Sequence, residues 1–407
     1  LHLHSRLGAG VFVEEYLMPE AYIVAAVRTG GGRKGGRLRD WHPVDLAAEV
    51  LGELVRRTDA DPALIDDVIL GCVGQLGGQA ANVARNAVLS AGFPETVPGT
   101  TVDRQCGSSQ QALHFAAQAV MSGTMDVVLA GGVESMTRVP LSSAISLAVA
   151  NGYDHPDSPR IRARYAGAEL NQFAGAEAIA AKYGLTRETL DRFAHDSHSR
   201  AARATVSGAF LAEILPLPGV EKSGDPVLHD SDEGIRTDAS LADMAALKPL
   251  REGGNLTAAT SSQISDGASG VMVVSEAGLK RLGVPPLARI HHMTVIGASP
   301  VTRLDAPIPA TVRALERTGL NIDDIDLYEV NEAFASIPLA WLRAMEADPD
   351  RLNVNGGAIS LGHPLGASGT KLMSTLIHAL KARGGRYGLQ VMCEGGGLAN
   401  LTIVERL

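Results

Sequence analysis

The sequence predicts an α/β protein with buried sheets, and three observations carry that expectation. Short β-branched or aliphatic runs alternate with segments of helical periodicity along most of the chain. The strand candidates are near-continuous apolar runs bounded by Asp or Gly, the pattern of strands covered on both faces. Glycine supplies 45 of 407 residues while aromatics make up 4%, a composition suited to tight turns and helices lying close on sheets.

Taken in order, Tyr22–Val27 reads as the first strand. In Pro43–Arg57, Val44, Leu46, Ala47, Val50, Leu51 and Leu54 recur at helical spacing behind a proline suited to a first turn. Val68–Val73 is a strand, Ser108–Met121 a helix, and Val127–Ala130 a strand ending at Gly131-Gly132. From Val139 to Ser261 the character changes. A polar loop (Asn151–Arg160), a long helix (Arg187–Val206) and a loop punctuated by Pro216, Pro218 and Pro226 suggest an inserted, loop-rich region. Strands then follow at Gly270–Ser275, Leu287–Ile296, Ile325–Val330, Leu389–Cys393 and Asn400–Glu405, with helices at Ala333–Met345 and Leu365–Ala382. The order of reactive residue, helix, strand and glycine turn occurs at Cys106 and again at His363, a hint of duplicated halves.

The length suggests two or three domains of roughly 100–200 residues. A formal net charge of −9 without a basic stripe argues against a nucleic-acid partner. No run approaches the roughly 18 apolar residues of a membrane span. Leu1–Leu17 lacks the regions of a signal peptide and reads as an extension ahead of Met18. Three cysteines, Cys72, Cys106 and Cys393, are too few and too scattered for a disulfide framework. They imply a reducing, cytoplasmic setting.

The chemistry-bearing candidates lie at element junctions. Cys106, in TTVDRQCGSSQQAL, follows a strand-like TTV and precedes a helix. There the positive end of the helix dipole favours a thiolate; the alternative is a buried apolar cysteine. His363 lies in a glycine-rich turn, NVNGGAISLGHPLGASG, and is either functional or structural. Cys393 ends an apolar strand before Gly395-Gly396-Gly397, a turn whose N–H groups suit an oxyanion as well as a plain reversal. Asn331, in VNEAFA, is either a site residue or a helix N-cap. Gly30-Gly31-Gly32 with Arg33 and Lys34 lacks P-loop spacing and reads as a flexible turn. Cys72 reads as strand core. His291-His292 lacks a third ligand, and Asp323, Asp324 and Asp326 read as a solvated turn, so no metal is expected.

Together these segments resemble the thiolase family. Cys-Gly-Ser at Cys106, Asn-Glu-Ala-Phe-Ala at Asn331, Gly-His-Pro-Leu-Gly-Ala-Ser-Gly around His363 and Cys-x-Gly-Gly-Gly at Cys393 occur in order. GGVESM (Gly131–Met136), SQISDGAS (Ser262–Ser269) and the opening AYIVAAVRTGGGRKGG add to the likeness, which runs from about Ala21 to Leu407. The resemblance implies two similar halves in a five-layered αβαβα sandwich. One half spans 18–137 and is completed by 265–286; the other spans 287–407; a loop domain at 138–264 covers coenzyme A.

The resemblance further implies thiolytic cleavage of a 3-ketoacyl-CoA, or the reverse Claisen condensation, with CoA as substrate and no permanent cofactor. Cys106 would be the nucleophile and His363 its base and oxyanion partner, with Asn331 assisting through a water. Cys393 would exchange the α-proton, while the N–H groups of Cys106 and Gly395 form a second oxyanion site. Ser262 would lie near the pantetheine and Arg236 near the nucleotide. A homo-oligomer, dimer or tetramer, is expected.

The departures are Ser109 where many relatives have glycine, Glu394 where many have a small or aliphatic residue, and Phe173–Ala180 without an opening Met-Gly. They point away from acetoacetyl-CoA and towards a longer or bulkier acyl group, as in fatty-acid β-oxidation or steroid breakdown. A 3-ketoacyl synthase of the same fold would not need Cys393. A papain-like protease would carry Cys, His and Asn in a different order. A non-catalytic acyl carrier would not need all four residues.

Overall fold

The computed structural model describes residues 4–7, 11–14 and 19–407. His4–Leu7 and Val11–Glu14 pair antiparallel; the reading of Leu1–Leu17 as an extension otherwise falls outside the described residues. Of the remaining strands, eleven form one sheet, whose main path runs Leu327–Val330, Tyr387–Glu394, Leu398–Arg406, Ala288–Gly297, Tyr22–Thr29, Ser265–Val274, Val127–Ser135, Asp67–Gly71, Thr100–Val102.

That path contains the same motif twice. In the first half, Asp67–Gly71 is parallel to Val127–Ser135, which pairs antiparallel with Ser265–Val274, which pairs antiparallel with Tyr22–Thr29. In the second half, Leu327–Val330, Tyr387–Glu394, Leu398–Arg406 and Ala288–Gly297 repeat those relations in the same order. The halves meet at two residue pairs, Ala288 with Ile23 and Arg289 with Tyr22.

Three cores account for the five layers. Helix Pro43–Thr58 covers the outside of the first half-sheet, with Leu46, Val50, Leu51 and Leu54 against Val68, Leu129 and Met272. His42 caps it, Pro43 occupies its first turn, and Arg56 and Arg57 sit at its negative end. Helices Ser108–Met121 and Ser368–Arg383 form the central layer. Leu113, Met373 and Leu376 share one core with Ile23 and Val128 of the first half and Ile290 and Val404 of the second. Ala112, Ala116 and Ala117 lie in that core too, their small side chains giving the close approach the composition implied. Pro307–Thr318 and Ser336–Met345 cover the second half-sheet around Trp341 and Tyr328.

Several expected boundaries change for physical reasons. Strand Val127–Ser135 runs through Gly131-Gly132 instead of ending there. A Cβ on Gly132 would lie 2.0 Å from Gly366 O, so glycine serves close approach here, not a turn. The proline-punctuated loop contains two antiparallel strands, Leu217–Val220 and Pro226–His229. A two-stranded ribbon leaves outward positions where a proline loses no ladder bond. The Asn151–Arg160 loop yields to a helix at Pro159–Arg164. The expected helix Leu365–Ala382 begins as a 3-10 turn and becomes α-helical at Ser368. Gly32 and Arg33 pair with Asp266 and Ser265 instead of remaining a free turn.

The segment between Ser135 and Ser265 is held by a buried charge network. Arg28 bonds Glu213 at 2.7 Å and Asp232 at 2.8 and 3.0 Å. Lys371 lies 3.7 Å from Asp232, and Thr375 donates to Glu213 at 3.0 Å. Burial pushes the Asp232 carboxyl up, but Arg28 and then Lys371 outweigh it and hold the group below its ordinary value. Its stabilising contribution is therefore present at neutral pH and lost as pH falls through that depressed pKa.

Candidate active site

The turn carrying Cys106 is tightly knit. Gln105 takes φ +50, an uncommon left-handed conformation for a residue with a side chain. Gln105 N donates to Asp103 Oδ1 at 2.7 Å, Ser108 Oγ donates to Gln105 O at 2.6 Å, and Arg104 N donates to Ser108 Oγ at 2.9 Å. Helix Ser108–Met121 starts two residues after the cysteine. The expected dipole stabilisation of a thiolate does not prevail. Burial pushes the Cys106 thiol well above its ordinary value, nearby Cys393 and Glu394 add to that, and only the N–H groups of Gly395 and Cys106 oppose it.

The His363 loop reaches this turn from the other half by close backbone packing. A Cβ on Gly71 would lie 2.6 Å from Gly366 O. One on Gly369 would lie 2.2 Å from Gln110 N. Thr370 N donates to Ser109 Oγ at 3.0 Å, so Ser109 pins the two central helices together at their starts. Leu365 packs against the cluster of Cys106, Leu372 and Met392.

The proton on His363 follows from its neighbour. Ser368 Oγ donates to Pro364 O at 2.8 Å and so has no second proton to offer. The 2.6 Å bond from His363 Nδ1 to Ser368 Oγ therefore carries the imidazole proton. That leaves the Nε2 lone pair, buried and without a partner, free to accept. Burial, reinforced by Lys371, lowers His363 to about 3, so the ring is neutral at physiological pH. Lys371 itself holds Leu361 O at 2.5 Å and Gly362 O at 3.2 Å, fixing the chain just ahead of the histidine.

Cys393 lies fully buried near the end of strand Tyr387–Glu394. Burial raises its thiol to about 12, although the Asn331 amide opposes the shift. Asn331 Nδ2 lies 3.6 Å from Cys393 Sγ, and Asn331 Oδ1 is buried without a partner. Asn331 does not cap the next helix, which begins at Ser336. Glu332 beside it accepts from Ser197 Oγ, Asn353 Nδ2 and Ile359 N at 2.7, 2.9 and 3.1 Å, tying this segment to the turn that leads to His363. The glycine turn needs two of its glycines for conformation, Gly396 at φ +88 and Gly397 at φ +81.

Ser262 and Arg236 sit to one side. Ser262 N donates to Ala333 O at 2.9 Å, and its neighbour Gln263 lines a cavity of about 330 Å³ together with Arg236, His198, Asp243 and Met244.

Two residues gain importance that their sequence positions did not signal. Glu134 accepts from Val73 N, Gly74 N, Gln79 Nε2 and Gly366 N at 2.8–3.0 Å, holding the histidine loop against the first half. Ser368 sets the histidine tautomer. Both lie within the blocks quoted above, yet a buried carboxylate serving four donors is visible only in three dimensions.

Glu394, noted only as a departure, is buried with neither oxygen paired, and its carboxyl occupies the space a Cβ on Gly107 would take, 1.8 Å from Oε1. Burial raises it to about 8 against the pull of Arg104, with Asp103 adding to the rise. It is thus uncharged below pH 8 and an anion beside Cys106 above it. Glu394→Gln removes that charge at every pH. The ratio of Glu394→Gln to wild-type kcat/KM should be flat below pH 7. It should climb to on the order of tenfold by pH 9, because each added pKa unit on Cys106 lowers its thiolate fraction by a decade. A ratio flat from pH 6 to 9 contradicts this role.

Comparison with known proteins agrees with this architecture. The family "Thiolase, N-terminal domain" matches residues 21–277, and "Thiolase, C-terminal domain" matches 284–406. The steroid 3-ketoacyl-CoA thiolase FadA6 of Mycobacterium tuberculosis is 54% identical over 96% of this chain and 95% of its own. The 3-ketoacyl-CoA thiolase of Pseudoalteromonas translucida is 43% identical over 96% and 100%. The crystal structure of the Bacillus anthracis acetyl-CoA acetyltransferase superposes with a TM-score of 0.87 at 37% identity, covering 96% of this chain and 99% of that one. Doubled halves, five layers and these matches lead to one conclusion: the chain belongs to the thiolase family.

Proposed function

We propose that this chain cleaves a 3-ketoacyl-CoA with CoA, giving acetyl-CoA and an acyl-CoA shortened by two carbons, through an acyl-Cys106 intermediate. The observation that carries this reading is the meeting of two buried cysteines from opposite halves: Cys106 packs against Met392, the neighbour of Cys393. N–H donors oppose the burial shift of Cys106, and the Asn331 amide faces Cys393.

In cleavage, Cys106 Sγ adds to the 3-keto carbon as its proton passes to His363 Nε2. The carbon–carbon bond breaks, leaving acyl-Cys106 and the enolate of acetyl-CoA. Cys393 gives its proton to that enolate and regains one from the His363 imidazolium. CoA then attacks acyl-Cys106, its thiol proton returning to Cys106 as the shortened acyl-CoA departs. The N–H groups of Cys106 and Gly395 would hold a thioester oxyanion, and the free Asn331 Oδ1 a water. We assign the 330 Å³ cavity beside Ser262 and Arg236 to coenzyme A, and segment 138–264 to covering it, between halves 18–137 with 265–286 and 287–407.

Relatives named for 3-ketoacyl and steroid 3-ketoacyl substrates support an acyl group longer than acetoacetyl. A homodimer or homotetramer acting without a permanent cofactor, in a cytoplasmic setting, is part of the same proposal. Among the described residues, no helix is long and apolar enough to cross a membrane.

Mixing the protein with CoA and 3-ketoacyl-CoAs of increasing chain length tests the reaction. Acetyl-CoA should form one-for-one with loss of the 3-ketoacyl thioester. No acetyl-CoA here, but release of CO₂ when a malonyl thioester and an acyl-CoA are supplied instead, would point to a ketoacyl synthase, and binding without turnover in both mixtures to a carrier.

A further inference from the structure

Arg303 stands in the loop Ala298–Ala306, which leaves strand Ala288–Gly297 beside the triple-glycine turn. Ala298 N donates to Gly397 O at 2.6 Å, and a Cβ on Gly397 would lie 2.6 Å from Ser299 O. From the opposite side the inserted segment closes on the same loop. Arg303 Nη1 donates to Leu170 O at 2.8 Å, and a Cβ on Gly175 would lie 2.8 Å from Thr302 O. The loop is therefore wedged between the turn that follows Cys393 and helix Gln172–Lys182, with the guanidinium bonded to the residue two ahead of that helix. Through Gly397 this loop adjoins the turn whose Gly395 N–H faces Cys106, and the cation would attract a thiolate formed there.

Beyond its bond to Leu170 O, this guanidinium has no hydrogen-bond partner among the described residues. Its Nε is buried without a hydrogen-bond partner. Asp157 is the acidic group that faces it, yet among the described residues no carboxylate forms an ion pair with it; Asp305 of the same loop pairs with Lys182 instead. Its backbone takes φ +57, a conformation that favours glycine or asparagine. A half-buried guanidinium with an idle donor, on a strained residue, is unfavourable until an anion arrives. The coenzyme's phosphates are not that anion, since the cavity assigned to CoA is lined by Arg236 and does not include Arg303. What does come within reach of a group beside Cys106 is the acyl tail of the substrate. The planar fork of a guanidinium is matched by a carboxylate.

We propose that Arg303 makes this thiolase selective for 3-ketoacyl-CoAs whose acyl tail carries a carboxylate, which pairs with the guanidinium while the keto carbon meets Cys106. The proposal rests on the thiolytic reading above.

The test is a paired series of 3-ketoacyl-CoAs of six, eight and ten carbons, each ending in either a carboxylate or a methyl group. It is run on wild type, Arg303→Met and Arg303→Lys. The readout is the ratio of kcat/KM for the carboxylate member over its methyl twin, which a general effect on folding or on Cys106 does not move. In wild type the ratio should reach on the order of 10- to 100-fold at the best-fitting length, as expected of a hydrogen bond to a charged group. Arg303→Met should bring it to one or below, and Arg303→Lys should restore part of it. A wild-type ratio at or below one at every length overturns the proposal and leaves the thiolase reading intact. A ratio unchanged in Arg303→Met also overturns it. No turnover of any member by wild type overturns the thiolase reading and this proposal with it.

Discussion

Cys106→Ala should abolish both turnover and the acyl-enzyme, with kcat falling on the order of 10⁴-fold or more, as for other enzymes stripped of a nucleophile. The size of that loss follows from the charge state of the two groups. Burial holds the Cys106 thiol far up and His363 at about 3, so the resting site contains a neutral thiol and a neutral imidazole. His363 Nε2 is left buried and unpaired, its lone pair free to take a proton. Both shifts are penalties for creating an isolated charge in a dry site. In the proposed mechanism both relax together as Cys106 thiolate and His363 imidazolium form as a pair, because each then neutralises the other. An alanine leaves His363 with no proton to take and the carbonyl with nothing to add to it. Intact-protein mass spectrometry checks the point directly. Wild type incubated with a 3-ketoacyl-CoA and no free CoA should gain the mass of the shortened acyl group, and Cys106→Ala should gain none. Acyl mass on the variant, or kcat within tenfold of wild type, would place the nucleophile elsewhere.

Much of this architecture was legible in the chain because glycine, proline and apolar runs act locally. Helices Ser108–Met121 and Arg187–Val206 fall where their periodicity and flanking residues put them. The doubled order of reactive residue, helix, strand and glycine turn is a repeat of topology, and the sheet repeats it strand for strand. What escaped depends on partners far along the chain. Gly132 looked like a strand terminator because its obligation is to Gly366 O, more than two hundred residues away. The helix dipole at Cys106 is one local field, and desolvation, a property of the whole fold, outweighs it. Glu394 was visible as an odd residue, but its unpaired burial was not. Asn331 fits a cap on local grounds, and only the convergence of its strand with that of Cys393 turns its amide to a sulfur.

Cys393→Ala should separate the two chemistries that the paired thiols perform. In the proposed mechanism, forming and resolving acyl-Cys106 uses Cys106 as nucleophile, His363 as base and an N–H oxyanion site, and not Cys393. Proton exchange at the acetyl-CoA methyl requires an acid–base group on the other side, and the thiol held at about 12 beside the Asn331 amide is suited to it. That elevation keeps Cys393 protonated at rest, as an acid waiting for an enolate must be. The adjacent N–H groups and the amide limit the charge penalty once the proton has left. The variant should therefore still exchange label between free CoA and acetyl-CoA, within about tenfold of wild type. Its incorporation of deuterium from D₂O into the acetyl methyl, and its condensation of two acetyl-CoA, should fall on the order of 10²- to 10⁴-fold, the usual contribution of a positioned acid or base. Loss of both activities in parallel would mean that Cys393 maintains the shape of the site. Deuterium incorporation at the wild-type rate would mean that the proton is carried by another group, with Glu394, the buried carboxyl beside both sulfurs, the first to substitute next.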